Sequence, residues 1–146
     1  MDFTLRPAVA ADREWLWQTK TRCLRTYVEQ TYGAWSEDFQ WARFDASFNP
    51  EEFQVVVHGG IDVGFLACRE TAGEIQLLNI MIAPEFQNRG LGSAVLRGLL
   101  AQAQSRHAAV QLQVMKVNPA RRLYERLGFV VIEETATHYR MAWAQF

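Results

Sequence analysis

The stretch EIQLLNIMIAPEFQNRGLGSAVLRGLL, residues 74–100, constrains this chain more than any other. Its opening, Glu74–Ile82, is apolar on both alternating faces, the mark of a central strand covered on both sides. Ala83-Pro84 ends that strand. An apolar, helix-like run then continues to about Ser105. Between the two lie Gly90 and Gly92, with Arg89 beside them. Glycine is a poor start for a core helix unless something must approach the backbone there. A strand, a short loop and a helix start gather backbone N–H groups that have no helical partner, at the positive end of the helix dipole. Without a Cβ in the way, such a place can cradle an anion such as phosphate, and Arg89 adds charge at its rim. No Gly-Lys-Ser/Thr triplet is present, which sets aside a nucleotide-triphosphate loop. The third glycine of a dinucleotide site and its acidic partner are missing as well. On these residues alone, a turn that merely starts a helix remains the alternative.

The rest of the chain supplies elements around this unit. Phe3–Arg6 reads as a first strand. A helix over about 12–31 follows, with Asp12 as N-cap and an inner stripe of Leu16, Cys23, Leu24, Tyr27 and Val28. Ser36, followed by Glu37 and Asp38, starts a second helix that runs towards Phe48. Residues 53–69 read as a hairpin turning at HGGID. After the cradle helix come a strand over Ala109–Met115, a helix opened by Asn118-Pro119 and stopped by Gly128, and strands over Phe129–Glu133 and His138–Trp143. The order β-α-α-β-β-β-α-β-α-β-β specifies an α/β fold over 1–146 as one domain: a single mixed, mostly antiparallel sheet with helices on both faces. Its one parallel crossover, from strand 74–82 through the helix to strand 109–115, is expected to be right-handed.

Composition narrows the partners. With 146 residues, 49% hydrophobic and 21% charged, the chain has an ordinary globular make-up. A net charge of −1 provides no dominant basic surface, so nucleic acid is not expected as a partner. The apolar run LLNIMIA is too short to span a bilayer, and the N-terminus lacks a signal-peptide pattern. Cys23 and Cys68 have neither paired nor metal-ligand spacing and read as reduced thiols, which fits a cytoplasmic protein without a metal.

The segment NIMIAPEFQNRGLG at 79–92 resembles the central motif of the Gcn5-related N-acetyltransferase superfamily, with Gln87, Gly90 and Gly92 at its key positions. NPARRLYERLGF at 118–129 resembles that superfamily's second signature, in the right order. The resemblance covers essentially the whole chain and implies the acyl-CoA N-acyltransferase fold. It implies acetyl-CoA as cosubstrate, with direct transfer in a ternary complex to a primary amine of a small molecule or peptide. A non-catalytic acyl-CoA-binding sensor is the alternative, and a homodimer would fit the family.

The same resemblance assigns residues. The diphosphate would lie on the amides of Gln87, Asn88, Arg89, Gly90, Leu91, Gly92 and Ser93. The pantetheine would run beside Ile80, Met81 and Ile82, with an oxyanion donor near Ile82. Tyr124 would be the general acid, its phenol pKa of about 10 lying near a thiol's 8.5. Asn118 would touch the cofactor, although it stands six residues before Tyr124, where seven is usual in the family. Gln76 stands where many relatives carry a strand carboxylate. The base is therefore assigned to Glu74 through a water chain, with acids of the 29–38 region and His138 as alternatives. In the aromatic stretch 27–48, Tyr32, Trp35 and Trp41 are read either as a cage for a cationic amine beside Glu29, Glu37 or Asp38, or as core.

Overall fold

The computed structural model describes residues 2–144. Seven strands form one sheet in the order β1-β2-β3-β4-β5-β7-β6. They are β1 (Thr4–Pro7), β2 (Phe53–His58), β3 (Ile61–Thr71), β4 (Glu74–Ile82), β5 (Ala109–Met115), β6 (Val130–Glu134) and β7 (His138–Trp143). Four helices complete the fold: α1 (Arg13–Tyr32), α2 (Glu37–Ser47), α3 (Leu91–Ser105) and α4 (Ala120–Arg126). The order is the one read from the sequence, and every ladder but one is antiparallel.

The sheet separates two cores. On one face, Leu91, Val95, Leu96, Leu99 and Ala103 of α3, with Tyr124 of α4, pack on Val56, Leu66, Ile75, Leu77, Val110, Leu112 and Met141. On the other, Leu16 and Trp17 of α1 and Phe44 of α2 pack on Val55, Phe65, Ala67 and Met81. Trp17, which the expected inner stripe omits, is the buried centre of an aromatic group with Trp35, Trp41 and Phe44. One helix start differs from expectation and another follows it. Asp12 precedes α1, but its carboxylate accepts from Arg6 and from the Val9 amide rather than from the helix. α4 begins at Ala120, whose amide donates to Asn118 Oδ1 at 2.9 Å, so Asn118 caps the helix from two residues away.

Two features of β4 open the sheet at one end. Its parallel ladder with β5 runs only from Glu74↔Ala109 to Leu77↔Leu112, after which the strands part. At the same place the register with β3 steps from Cys68↔Leu77 to Ala67↔Asn79, so Leu78 is an extra, bulged residue. Side-chain parity records the step. Ile75 and Leu77 enter the α3 core, yet beyond the bulge it is Ile80 and Ile82 that enter it, while Met81 enters the α1 core. One inserted residue thus reverses the facing of the strand's end and opens a fork between β4 and β5.

Three weak acids are buried or half-buried in this fold: Tyr124 is buried, and Cys23 and Cys68 are half-buried. Burial pushes the Cys23 thiol from 9.0 to about 11 and the Cys68 thiol to about 12. It pushes the Tyr124 phenol from 10.0 to about 12. Above pH 9 the unfolded chain releases protons that the folded chain still holds, so stability falls as pH rises through this window. Each unit of difference is worth ~1.4 kcal/mol per group. The melting temperature is expected to fall steeply between about pH 9 and pH 12, and Cys68→Ala to flatten that fall. A melting temperature constant to pH 11 would contradict these burials.

Candidate active site

The loop from β4 to α3 is built to present amides. Asn88 and Gly90 both take left-handed backbone conformations, with φ of 63° and 84°. The first bond of the helix is from the Ala94 amide to Gly90 O, at 3.0 Å. The amides of Asn88 through Ser93 donate to no acceptor among the described residues. The Gln87 amide, expected to join them, donates instead to Pro84 O at 3.2 Å and closes a short 3-10 turn. The two glycines have different reasons. Gly90 is required by its positive φ. At Gly92 a Cβ would meet only Ile82 Cγ1 and Leu123 Cδ2, both at an ordinary 3.9 Å. Nothing among the described residues requires glycine at that position, and its bareness leaves room for an approach from outside. Arg89 stands over the Phe86 ring at 5.8 Å.

Beside this cradle lies the open edge of β4. The Ala83 amide donates to Val63 O at 2.8 Å. Antiparallel alternation then turns the polar groups of Met81 and Asn79 towards β3 and those of Ile80 and Ile82 into the fork. The Ile82 carbonyl is already taken: Gln87 Nε2 donates to it at 2.8 Å and Cys23 Sγ at 3.3 Å. What remains for a ligand is the N–H and C=O of Ile80 and the N–H of Ile82. These are the groups a peptide-like pantetheine arm can pair with as an added strand does. The holding roles of Gln87 and Cys23 were not foreseen from the sequence, because Cys23 meets this loop only in the folded chain.

Tyr124 lies on the α3 side of the fork, where Leu123, its neighbour on α4, reaches the first turn of α3. Its ring is buried and meets Phe129 edge-on at 5.8 Å. Its hydroxyl has no hydrogen-bond partner among the described residues, and it is not sealed from solvent. With the pKa pushed up to about 12 by burial, the phenol stays protonated at any ordinary pH. Asn118, Lys116, Pro119, Arg121 and Arg122 line a shallow pocket of about 350 Å³ at the start of α4. Arg121 there is held by Glu125 at 2.7 Å and by the Tyr139 ring, while Arg122 has no ion pair among the described residues.

The base differs from expectation, and the aromatics of 27–48 take the core reading. Glu74 shares a face with Gln76 but stands at the opposite end of β4 from Ile82, roughly 26 Å away along the strand. Its carboxylate accepts from Gln111 Nε2 at 3.2 Å. It therefore does not reach the fork, and the assignment of Glu74 as base is corrected. The aromatic cage does not assemble either. Glu37 accepts from the indoles of Trp17 at 3.2 Å and Trp35 at 2.7 Å. Trp35 stacks on Trp17 and lies under Arg25, and Trp41 meets Trp17 edge-on. Glu29 pairs with Arg25. Only Tyr32 of the three is exposed, donating to Thr137 Oγ1 at 3.5 Å. That Thr137 hydroxyl lies 2.8 Å from His138 Nδ1. Among the described residues, no group of three or more His, Cys, Asp or Glu side chains can hold a metal ion. No helix among them is long and apolar enough to cross a membrane.

The profile of the acetyltransferase (GNAT) family matches residues 14–129, from α1 to the end of the α4 loop. The chain belongs to this family. It is 33% identical over 78 residues to the [ribosomal protein bS18]-alanine N-acetyltransferase of Haemophilus influenzae, which is 53% of each chain. It is 36% identical over 94 residues to the 5-NmdU N-acetyltransferase of Pseudomonas phage PaMx11, 62% of this chain and 66% of that one. The chain thus spans about half to two thirds of the length of these relatives. In fold it matches the PaiA N-acetyltransferase of Thermoplasma acidophilum, solved in complex with coenzyme A. That match has a TM-score of 0.77 at 18% identity over 99% of this chain and 100% of that one. The overall fold is therefore shared with that protein.

Proposed function

We propose that this chain is an acyl-CoA-dependent N-acetyltransferase that moves an acetyl group from acetyl-CoA directly to a primary amine bound in the same fork. The observation that carries the reading is two sets of unused backbone groups on one strand-to-helix unit, those of Ile80 and the Ile82 N–H, and the amides of Asn88–Ser93. A diphosphate fits the cradle amides and a peptide-like arm fits the edge of β4. The names of the two relatives, one acting on a ribosomal-protein alanine and one on a nucleotide, support an amine acceptor. When bound, the cosubstrate supplies a thioester, an acyl donor with a good leaving group. The Ile82 N–H, held in place by the two donors on its own residue's carbonyl, meets charge developing on the acyl oxygen. Tyr124 donates its hydrogen bond to the departing sulfur. Asn118 and Arg122 line the pocket at the start of α4 and are the residues there offered for contact with the cosubstrate. Glu74 pairs with Gln111 at the far end of β4, while His138 pairs with Met115 at the open end of β5, so a base at the acceptor amine would come from His138 or from solvent.

Millimolar acetyl-CoA is expected to raise the melting temperature, since a ligand at 100 times its Kd adds ~2.7 kcal/mol of stability. Free thiol should then appear when amines are supplied. No shift would remove the reading. A shift without thiol release from any amine would favour a sensor, although a sensor leaves the unpartnered Tyr124 hydroxyl without a purpose.

A further inference from the structure

Resting on that transfer reading, we infer that the acceptor is the α-amine of an extended polypeptide N-terminus, recognised by neutral carboxamides on the α1 face of the fork. Cross-strand pairing places them. Asn79 pairs with Ala67, which lies in the α1 core, so Asn79 faces that side on the open arm of β4. Gln113 is the first residue of the open arm of β5, and it pairs with Arg140. Its neighbours Leu112 and Val114 enter the opposite core, so Gln113 also faces the α1 side. One carboxamide thus stands on each lip of the fork, and neither has a hydrogen bond among the described residues.

Behind the lips runs an open trough of about 520 Å³, lined by Gln76, Leu78, Gln111, Gln113, Glu133 and Arg140 among others. Its charges are already paired. Arg140 donates to Glu133 Oε2 at 3.1 Å and to Gln111 Oε1 at 2.9 Å. Gln111 in turn holds Glu74. The groups left free are amides, each both donor and acceptor, which match a peptide unit. A polyamine or aminoglycoside would call for unpaired carboxylates. A nucleic acid would call for unpaired cations.

Two arguments select the α-amine over a lysine amine. The nucleophile attacks as the neutral amine, so its own pKa sets how much of it is ready to react. An α-amine with a pKa of about 7.7–8.0 is substantially neutral near pH 7.5, whereas a lysine amine at about 10.4 is neutral in about one molecule in a thousand. The polar lips also begin at the fork itself. An α-amine has its first carbonyl two bonds away, within their reach, while a lysine amine arrives on a four-carbon apolar stem.

The test is the initial rate of thiol release from acetyl-CoA with five acceptors. They are a neutral tetrapeptide amide with a free N-terminus, the same peptide N-blocked and carrying one lysine, spermidine, kanamycin and an aminomethyl nucleoside. The free N-terminus is expected to exceed every other acceptor in kcat/KM by about 100-fold or more, the combined effect of amine ionisation and lip contacts. Gln113→Leu and Asn79→Leu should each raise the KM for the peptide about 10-fold, with kcat changing far less, as for a lost hydrogen bond. Both side chains lie outside the cores, so folding is not at stake, and the isosteric Gln113→Glu provides a second readout by improving spermidine relative to the peptide. Equal rates across the panel, preference for another amine, or unchanged peptide KM in both leucine variants would overturn the inference. If the acetyl-CoA thermal shift persists in that case, only the acceptor assignment has failed. If the wild-type chain shows no shift, the transfer reading has failed with it.

Discussion

Tyr124→Phe is expected to lower kcat about 100-fold, the usual scale for losing a positioned proton donor, while the Kd for acetyl-CoA stays within about 2-fold and the melting temperature is unchanged. The hydroxyl bonds to nothing among the described residues, so its removal strands no buried partner. The ring keeps its edge-on contact with Phe129. The manner of action differs from the one first expected from sequence. A phenol at about 12 is far from matched to a thiol. Complete transfer of its proton to a thiolate of pKa about 8.5 would be uphill by about 5 kcal/mol. On the proposed reading, Tyr124 would therefore act as a hydrogen-bond donor that shares its proton with the leaving sulfur, with solvent completing the exchange. The alkaline side of the rate profile should accordingly show no loss attributable to Tyr124 below about pH 11. Steady-state kinetics and calorimetry of the variant check both halves. An unaltered kcat would remove Tyr124 from the reaction.

The fold was largely readable because its elements carry local marks. Glu74–Ile82 has a buried strand's composition, and Asn118-Pro119 and Gly128 bracket α4. The cradle was readable for the same reason: glycines at a strand-to-helix junction have few uses. What escaped reading was set by tertiary contact or by parity. The bulge at Leu78 adds one apolar residue to an apolar run and leaves no compositional trace, yet it decides which side chains of the strand's end face each side of the sheet. Counting along β4 assigned Glu74 and Gln76 to one face, which holds, but face alone says nothing of position along a strand. The Ile82 carbonyl is fixed from two elements, by Gln87 of the loop and by Cys23 of α1, and no local pattern joins them. The aromatics of 27–48 were ambiguous because a cation cage and a core draw on the same residues. Trp17, buried from α1, resolves them by recruiting Trp35 and Trp41 into the core.

Gly64→Ala should do more damage than its single methyl suggests. Gly64 lies in β3 opposite Ile82 and is buried. A Cβ there would stand 2.2 Å from Met81 O and 3.1 Å from Ile82 Cα. Both are backbone atoms of β4, so no rotamer change relieves the clash, and the end of β4 must move by about 1 Å or more to restore ordinary contact. Overpacking of this kind costs about 3 kcal/mol, a fall of roughly 6–12 °C in melting temperature for a chain of this size. The displaced segment carries Ile80 and Ile82, the open edge of the fork, so acetyl-CoA affinity should drop about 10-fold or more as those backbone bonds are misplaced. Gly98→Ala serves as the control. Gly98 lies in α3, where a Cβ meets only Phe3 Cζ at 3.9 Å, and alanine there should add about 0.5–1 kcal/mol of stability. Thermal melts and acetyl-CoA titrations of the two variants separate a close approach at the fork from a general intolerance of methyl groups. If Gly64→Ala melts and binds like the wild-type chain, the end of β4 does not lie where the fork requires it.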